Sequence, residues 1–430
     1  VFAALLAAVP IWTGPGLINT RGGGDSPFLF IRLHQLVANL RDGVFPARWM
    51  PDAAYGLGYP FFNYYASLPY YFAALFNLIG FDLLVSIKIV QTLGFVFAGW
   101  AMYRWADQHF SARWAAWLAA IAYTFAPYHF VNVYVRGDAL SEFYAFIFYP
   151  LILWSIDRVV ESPRSWPSLA LSYGGLILTH NISAMIFSPL ILLYGLLALF
   201  KSETLAPHAS AGVRNQKSKI LSLVLGLLVA LALSAWFWLP ALGEAKLAQL
   251  DNQTTGYFNY AEHFRSTNLI QASIGFEYTI ESDPRSGTPF AMGLVQAIAT
   301  LIGLIVMIIT WRHNTCPTAW RSAGPHQRFR LFVLIGLAGS TLMITPLSRP
   351  LWDNLPLLPY TQFPWRFLSV QTLFASLAIG HIGGLCATEN TENRRGRLRA
   401  LRVLTGLTGL ALLASTLLLL HPDYLAIRAD

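Results

Sequence analysis

The chain has 430 residues, 55% of them hydrophobic and only 12% charged, where an ordinary soluble domain carries about 25% charged residues. Many apolar runs approach or exceed the ~20 residues a helix needs to cross a bilayer. This excludes a soluble enzyme and predicts an all-α, polytopic integral membrane protein. The net charge of +8, from 29 basic minus 21 acidic residues, is not first a nucleic-acid signal, because Lys and Arg collect in cytoplasmic loops of membrane proteins.

Taken in chain order, the expected spans are 1–18, 83–105, 113–131, 141–159, 168–179, 183–200, 220–240, 290–311, 329–346, 366–387 and 401–420, eleven in all. The chain opens at Val1 inside an apolar run without Met or a basic leader, so its native start is expected further upstream. The basic clusters lie around Arg104/Arg113, Arg158/Arg164, Lys201–Lys219, Arg312–Arg330 and Arg394–Arg402. Placing all of them in the cytoplasm gives one consistent alternation, with 168–200 as two short helices broken at "THN". The organisation expected is one transmembrane domain over 1–430, a first external loop over 19–82 and a large external loop over 241–289.

Just past the first apolar segment, "GGGDSP" sets Asp25 behind three glycines. Ser26 suits a helix cap and Pro27 the first helical position. Leu29, Leu33, Leu36, Val37 and Leu40 form one apolar stripe, while Arg32, Gln35 and Asn39 line another face, as in an amphipathic interfacial helix. The stretch 61–80, "FFNYYASLPYYFAALFNLIG", is long enough to count as a span. Its Tyr content and Pro69 suit the interface better, so a helix lying on the outer surface is expected. Asp25 then faces outside.

Further along, Asp138 and Glu142 stand four apart, one helical face if a helix begins near Asp138, with Arg136 two residues earlier. An ordinary Arg–Asp pair explains the same spacing. Acids entering a membrane span usually face a cavity, which favours Glu142. His180 and Asn181 interrupt an apolar stretch and suit either ligand contact or a cap between two helices. Glu244 and Lys246 read equally well as a surface pair. Arg366, after "QFPW", could hold a lipid phosphate or anchor the interface beside Trp365. Cys316 and Cys386 lie far apart, with neither a disulfide framework nor a metal-ligand spacing. Phosphate loops of the P-loop or Rossmann type are absent.

The order of span, acid, amphipathic helix, "RDGVFPARW" and Tyr/Pro-rich surface helix resembles the first external loop of the GT-C glycosyltransferases. That superfamily includes protein mannosyltransferases, the oligosaccharyltransferase catalytic subunit and the aminoarabinose transferase of lipid A. The phrases "YVRGDALSEF" (134–143), "LTHNISA" (178–184), "WFWLPAL" (236–242) and "QFPWRFL" (362–368) more closely resemble bacterial membrane proteins called 6-pyruvoyl-tetrahydropterin-synthase-related. Pterin chemistry is not implied, because the scattered histidines do not form a zinc-ligand cluster. The resemblance implies transfer of a sugar from a polyprenyl-phosphate carrier to an acceptor on the outer face, in a bacterial plasma membrane.

In an inverting displacement the polyprenyl phosphate leaves as a stable anion, so one carboxylate acting on the acceptor hydroxyl suffices. Asp25 is the candidate base and Arg366 the candidate phosphate ligand. Arg136, Asp138, Glu142, His180 and Asn181 are further candidates for substrate contact. Many GT-C loops carry two adjacent acids or a DxD where this one carries a single acid. No residue is therefore assigned to a metal, a divalent ion stays open, and no organic cofactor is implied. Partners expected are the lipid-linked sugar and membrane lipid, with further membrane subunits left open and no nucleic acid. A lipid or glycan transporter, or an inactive GT-C-shaped scaffold, are the competing readings.

Overall fold

The computed structural model of the chain describes residues 1–20, 26–137, 139–201, 209–280, 288–313, 325–385 and 394–427. The fold is helical, as a chain that must satisfy its backbone polar groups inside lipid requires. Among the described residues eight helices are long and apolar enough to cross a membrane: Leu83–His109, Leu140–Glu161, Asn181–Phe200, Gln216–Leu233, Leu294–Trp311, Gln327–Ile344, Pro364–Gly384 and Arg399–Leu417.

Three of the eleven expected spans are built from shorter helices. Segment 1–18 forms Phe2–Thr13, 113–131 forms Arg113–Thr124 followed by Pro127–Tyr134, and 168–179 forms Trp166–Thr179. Helices of 12 to 14 residues are about 18–21 Å long, short of a hydrocarbon core of ~30 Å. The causes are local. Gly14 ends the first in extended backbone. Pro127 pushes the residue before it out of the helical region, and Ala126 is extended there. The break at "THN" is present: His180 is extended, and a new helix starts at Asn181.

The stretch 61–80 divides into Phe61–Tyr64 and Leu68–Leu78. The longer piece has 11 residues, about 16 Å, short of the ~30 Å hydrocarbon core. Between the first helix and this stretch lies the amphipathic helix Ser26–Arg41. Leu29, Leu33, Leu36 and Val37 of its expected stripe are buried, and Leu40 is partly so. Gln35, expected on the polar face, is buried as well, because it exchanges two hydrogen bonds with Asp52: Nε2 to Oδ2 at 2.8 Å, and the Asp52 amide to Oε1 at 2.9 Å.

At the centre stands Leu368–Gly384, packed against Arg113–Thr124, Leu294–His313 and Pro325–Ile344. Its span is 94% buried, against 22% for Gln216–Leu233 and Arg399–Leu417, so the latter two form the rim. Helices in lipid approach closely where residues are small. At Gly303 a Cβ would come within 2.1 Å of the Ala378 carbonyl oxygen, so this contact with the central helix requires glycine. The paired strands are Leu17–Ile18 (β1) and Tyr424–Leu425 (β2), antiparallel with Leu17 opposite Leu425.

Candidate functional site

Three elements meet at one end of the bundle. Pro127–Tyr134 contributes Tyr128 and Asn132 and leads into Arg136. Leu140–Glu161 opens with Glu142 in its first turn. The turn Pro364–Phe367 delivers Arg366 to the head of the central helix. Their polar side chains converge on one buried carboxylate.

Glu142 Oε1 accepts from the Tyr128 hydroxyl at 2.5 Å, and Oε2 accepts from Arg136 Nη1 at 2.7 Å. Arg366 Nε lies 3.5 Å from the same Oε2. The Glu142 and Arg366 side chains are 3% and 9% exposed, so the group is almost entirely removed from water. Two guanidiniums face one carboxylate, leaving one positive charge in excess among these three. Such a cluster is costly unless every member is held, and it is held. Arg136 Nη1 also donates to Asn132 Oδ1 at 2.7 Å, and Arg366 Nη1 donates to the Thr361 carbonyl at 2.9 Å. Arg366 Nε, Asn132 Nδ2 and Thr361 Oγ1 are nevertheless buried without a hydrogen-bond partner.

An aromatic stack backs the cluster. Trp365 lies between Phe290 (centroids 4.0 Å) and Phe363 (4.8 Å), both nearly parallel to it. Arg136 sits 5.2 Å over Trp365, and Arg366 5.2 Å over Phe363. Each such cation–π contact adds on the order of 1 kcal/mol. Gln362 takes φ 65° and ψ −49°, with the Phe363 amide bonded to the Thr361 carbonyl at 2.7 Å. That is a strained γ-turn. Its side chain reaches the 241–289 loop, donating to Gln253 Oε1 at 2.7 Å.

Of the candidates read from sequence, Arg136, Glu142 and Arg366 therefore come together. His180 is close enough to interact electrostatically with Glu142. Its Nδ1 also lies 3.3 Å from the Ser183 amide and 2.7 Å from the Ser183 hydroxyl, the geometry of a helix cap. Asn181 is exposed. Asp25 and Asp138 lie outside the described residues. Their neighbours do not: Ser26 and Thr20, on either side of 21–25, are joined, the Thr20 amide donating to Ser26 Oγ at 2.5 Å. Thr20 Oγ1 in turn donates to the Arg136 carbonyl at 2.9 Å. Ser26 thus spends its hydroxyl on this junction and on Asn19 (2.7 Å).

Tyr128 and Asn132 were missed in the sequence. Tyr128, Asn132 and Arg136 recur every four residues within an apolar run, a polar stripe on one helical face that could have revealed them. Glu244 is not paired with Lys246. It bonds Arg48 through Oε1 and Asn63 Nδ2 through Oε2 at 3.1 Å, tying the end of Ala235–Gly243 to the first loop. A second buried carboxylate, Asp157, accepts from Trp105 (3.1 Å), His109 (2.8 Å) and Tyr194 (2.7 Å). Fifteen residues along the helix of Glu142, it is about 22 Å away and belongs to the other end. No group of three or more His, Cys, Asp or Glu gathers among the described residues. A carboxylate between two guanidiniums suits an anion better than a divalent cation.

Residues 62–420 match the family model of the 6-pyruvoyl-tetrahydropterin synthase related domain, a membrane protein. The chain belongs to this family. Over 253 residues this family member is 25% identical to an uncharacterized protein of Lactococcus lactis, a match covering 57% of the chain and 39% of that protein. Among solved structures it is similar to ArnT from Cupriavidus metallidurans bound to undecaprenyl phosphate, with TM-score 0.55 and 13% identity over 96% of the chain and 75% of ArnT. It is also similar to the mycobacterial arabinofuranosyltransferase AftD, with TM-score 0.53 and 15% identity over 96% of the chain and 27% of AftD. The archaeal oligosaccharyltransferase AglB from Archaeoglobus fulgidus, in complex with an inhibitory peptide and a dolichol-phosphate, gives TM-score 0.50 and 12% identity over 96% of the chain and 54% of AglB. The family member therefore has a GT-C-like fold.

Proposed function

We propose that the chain is an inverting membrane glycosyltransferase that moves a sugar from a polyprenyl-phosphate donor to an acceptor. The reaction takes place at the Glu142 end of the bundle, on the outer face of the bacterial plasma membrane. The observation that carries this reading is the buried convergence of Arg136, Glu142 and Arg366, with Thr20 bonded to the Arg136 carbonyl. The fold is shared with ArnT and AglB, whose structures hold undecaprenyl phosphate and a dolichol-phosphate.

In this mechanism the acceptor hydroxyl gives its proton to Asp25 as its oxygen attacks the anomeric carbon. The bond from that carbon to the phosphate oxygen breaks, and the electron pair leaves with the polyprenyl phosphate. Attack from the face opposite the leaving group inverts the anomeric configuration. Arg366, with a buried Nε that lacks a hydrogen-bond partner, is the donor to the departing phosphate, and Asn132 Nδ2 is a second. Glu142 keeps the two guanidiniums together without neutralising both. His180, Asp138 and the exposed Asn181 are further candidates for substrate contact.

The test is sugar transfer by the purified chain from a panel of polyprenyl-phosphate sugars, with Asp25→Asn alongside. Loss of a general base lowers turnover by roughly 10²–10⁴. Full turnover in the variant removes Asp25 from the mechanism, and absence of transfer by the unmodified chain with every donor removes the transferase reading.

A further inference from the structure

Two helices carry the same outward pattern at the end of the bundle opposite Glu142. Phe97, Trp100 and Arg104 stand on Leu83–His109, and Leu151, Trp154 and Arg158 on Leu140–Glu161. Steps of three and four residues keep each trio on one helical face. The two helices pack together and run in the same direction, Tyr144 donating to the Val90 carbonyl at 2.7 Å and Trp105 to Asp157 at 3.1 Å. The stripes therefore lie side by side, each passing from apolar to aromatic to cationic towards the helix end. They meet at Trp154. Trp100 packs edge-on against it with centroids 5.9 Å apart, and the Arg104 and Arg158 guanidiniums each sit 5.5 Å from its ring centre. One indole thus gathers two cations. Both arginines are exposed, as are Phe97 and Trp100, and neither arginine has an ion-pair partner among the described residues. Asp157, next to Arg158, points inward to Trp105, His109 and Tyr194. Trp154 Nε1 is buried without an acceptor.

We propose that this face binds the headgroup of an anionic phospholipid in the leaflet at that end. The phosphodiester accepts from Arg104 and Arg158. The indoles lie at headgroup depth, where tryptophan collects in membrane proteins, and an acyl chain follows Phe97 and Leu151. Basic clusters at the ends of spans recognise such lipids. A soluble anion would use the arginines but not the apolar residues continuous with them. Interfacial anchoring alone needs neither a shared ring nor the convergence of charges from two helices. Arg158 lies sixteen residues beyond Glu142 on one helix, about 24 Å, so the site is separate from the proposed transfer reaction and does not depend on it.

In the experiment the full chain, purified in detergent, is titrated with phosphatidylglycerol or with phosphatidylcholine of the same acyl chains, and bound lipid is counted by native mass spectrometry. Phosphatidylglycerol should bind the more tightly. Arg104→Gln and Arg158→Gln should each weaken it about tenfold, as for loss of one charged donor. Arg399→Gln, the same charge change on another helix, should leave it unchanged. The double variant should lose less than the product of the single losses, because both donors serve one phosphate. Trp154→Leu keeps both charges but removes the ring that spaces them, and should weaken binding by about tenfold as well. Equal affinity for the two lipids overturns the proposal, as does an equal loss in Arg399→Gln or full additivity in the double variant. Displacement of the lipid by inorganic phosphate also overturns it, by assigning the arginines to a soluble anion.

Discussion

The carboxylate of Glu142 and the guanidinium of Arg366 lie 3.5 Å apart, one at the start of Leu140–Glu161 and the other at the head of the central helix. Removing one member of a buried ion pair leaves its partner uncompensated. Glu142→Gln should therefore cost about 3–5 kcal/mol of stability, read as a lower midpoint of thermal unfolding in detergent. The double variant Glu142→Gln with Arg366→Gln should recover part of that loss, because coupled neighbours are non-additive. Additive losses would show that the two side chains do not act as a pair.

Arg366 makes three distinct contacts, with Glu142, the Thr361 carbonyl and the Phe363 face. A lysine has no planar fork with which to keep them and still offer a donor to phosphate. Arg366→Lys should weaken binding of a fluorescent polyprenyl phosphate by about tenfold or more, while Arg41→Lys leaves it unchanged. Equal affinity in the two variants would assign the phosphate to other residues.

His263, in the 241–289 loop, is buried and donates from Nε2 to the Tyr257 carbonyl at 2.5 Å, with its ring edge-on to Phe363 at 4.7 Å. Burial lowers its pKa, with the carbonyl bond opposing part of that shift. The unfolded loop therefore takes up a proton at higher pH than the folded one. The contribution of His263 to stability is complete above its ordinary pKa of about 6.5 and is lost as pH falls through the lower folded value. Limited proteolysis of the loop should quicken between pH 7.5 and pH 5, and His263→Phe should flatten that dependence.

Gly303 meets the Ala378 carbonyl so closely that any side chain must push two helices apart. Gly303→Val should lower stability by about 3 kcal/mol, the upper end of the usual cost of overpacking. Gly339, where a Cβ meets nothing within 4 Å, is the control, and Gly339→Ala should leave the unfolding midpoint unchanged.

Much of this arrangement was legible one segment at a time. The leucine stripe of Ser26–Arg41, the interruption at His180 and the acid of Glu142 all have local signatures, in periodicity or in a polar residue amid apolar ones. The helix breaks within the expected spans were harder to read, because hydropathy averages over the residues at which Gly14 and Pro127 stop the helices. Contacts between distant segments leave no such trace. Nothing around Glu244 names Arg48 as its partner, and nothing in "HPDYL" announces that Asp423 meets Asn19. Those pairings follow from how the helices stack, which a single sequence does not spell out.

The enclosure of Leu368–Gly384 has a mechanical corollary. Helices on the rim must tilt when the bilayer thins or thickens, because their apolar sides track the lipid. A post with 94% of its span covered by protein has almost no lipid to follow. Arg366, mounted on its head, is shielded from the changing thickness of the surrounding membrane.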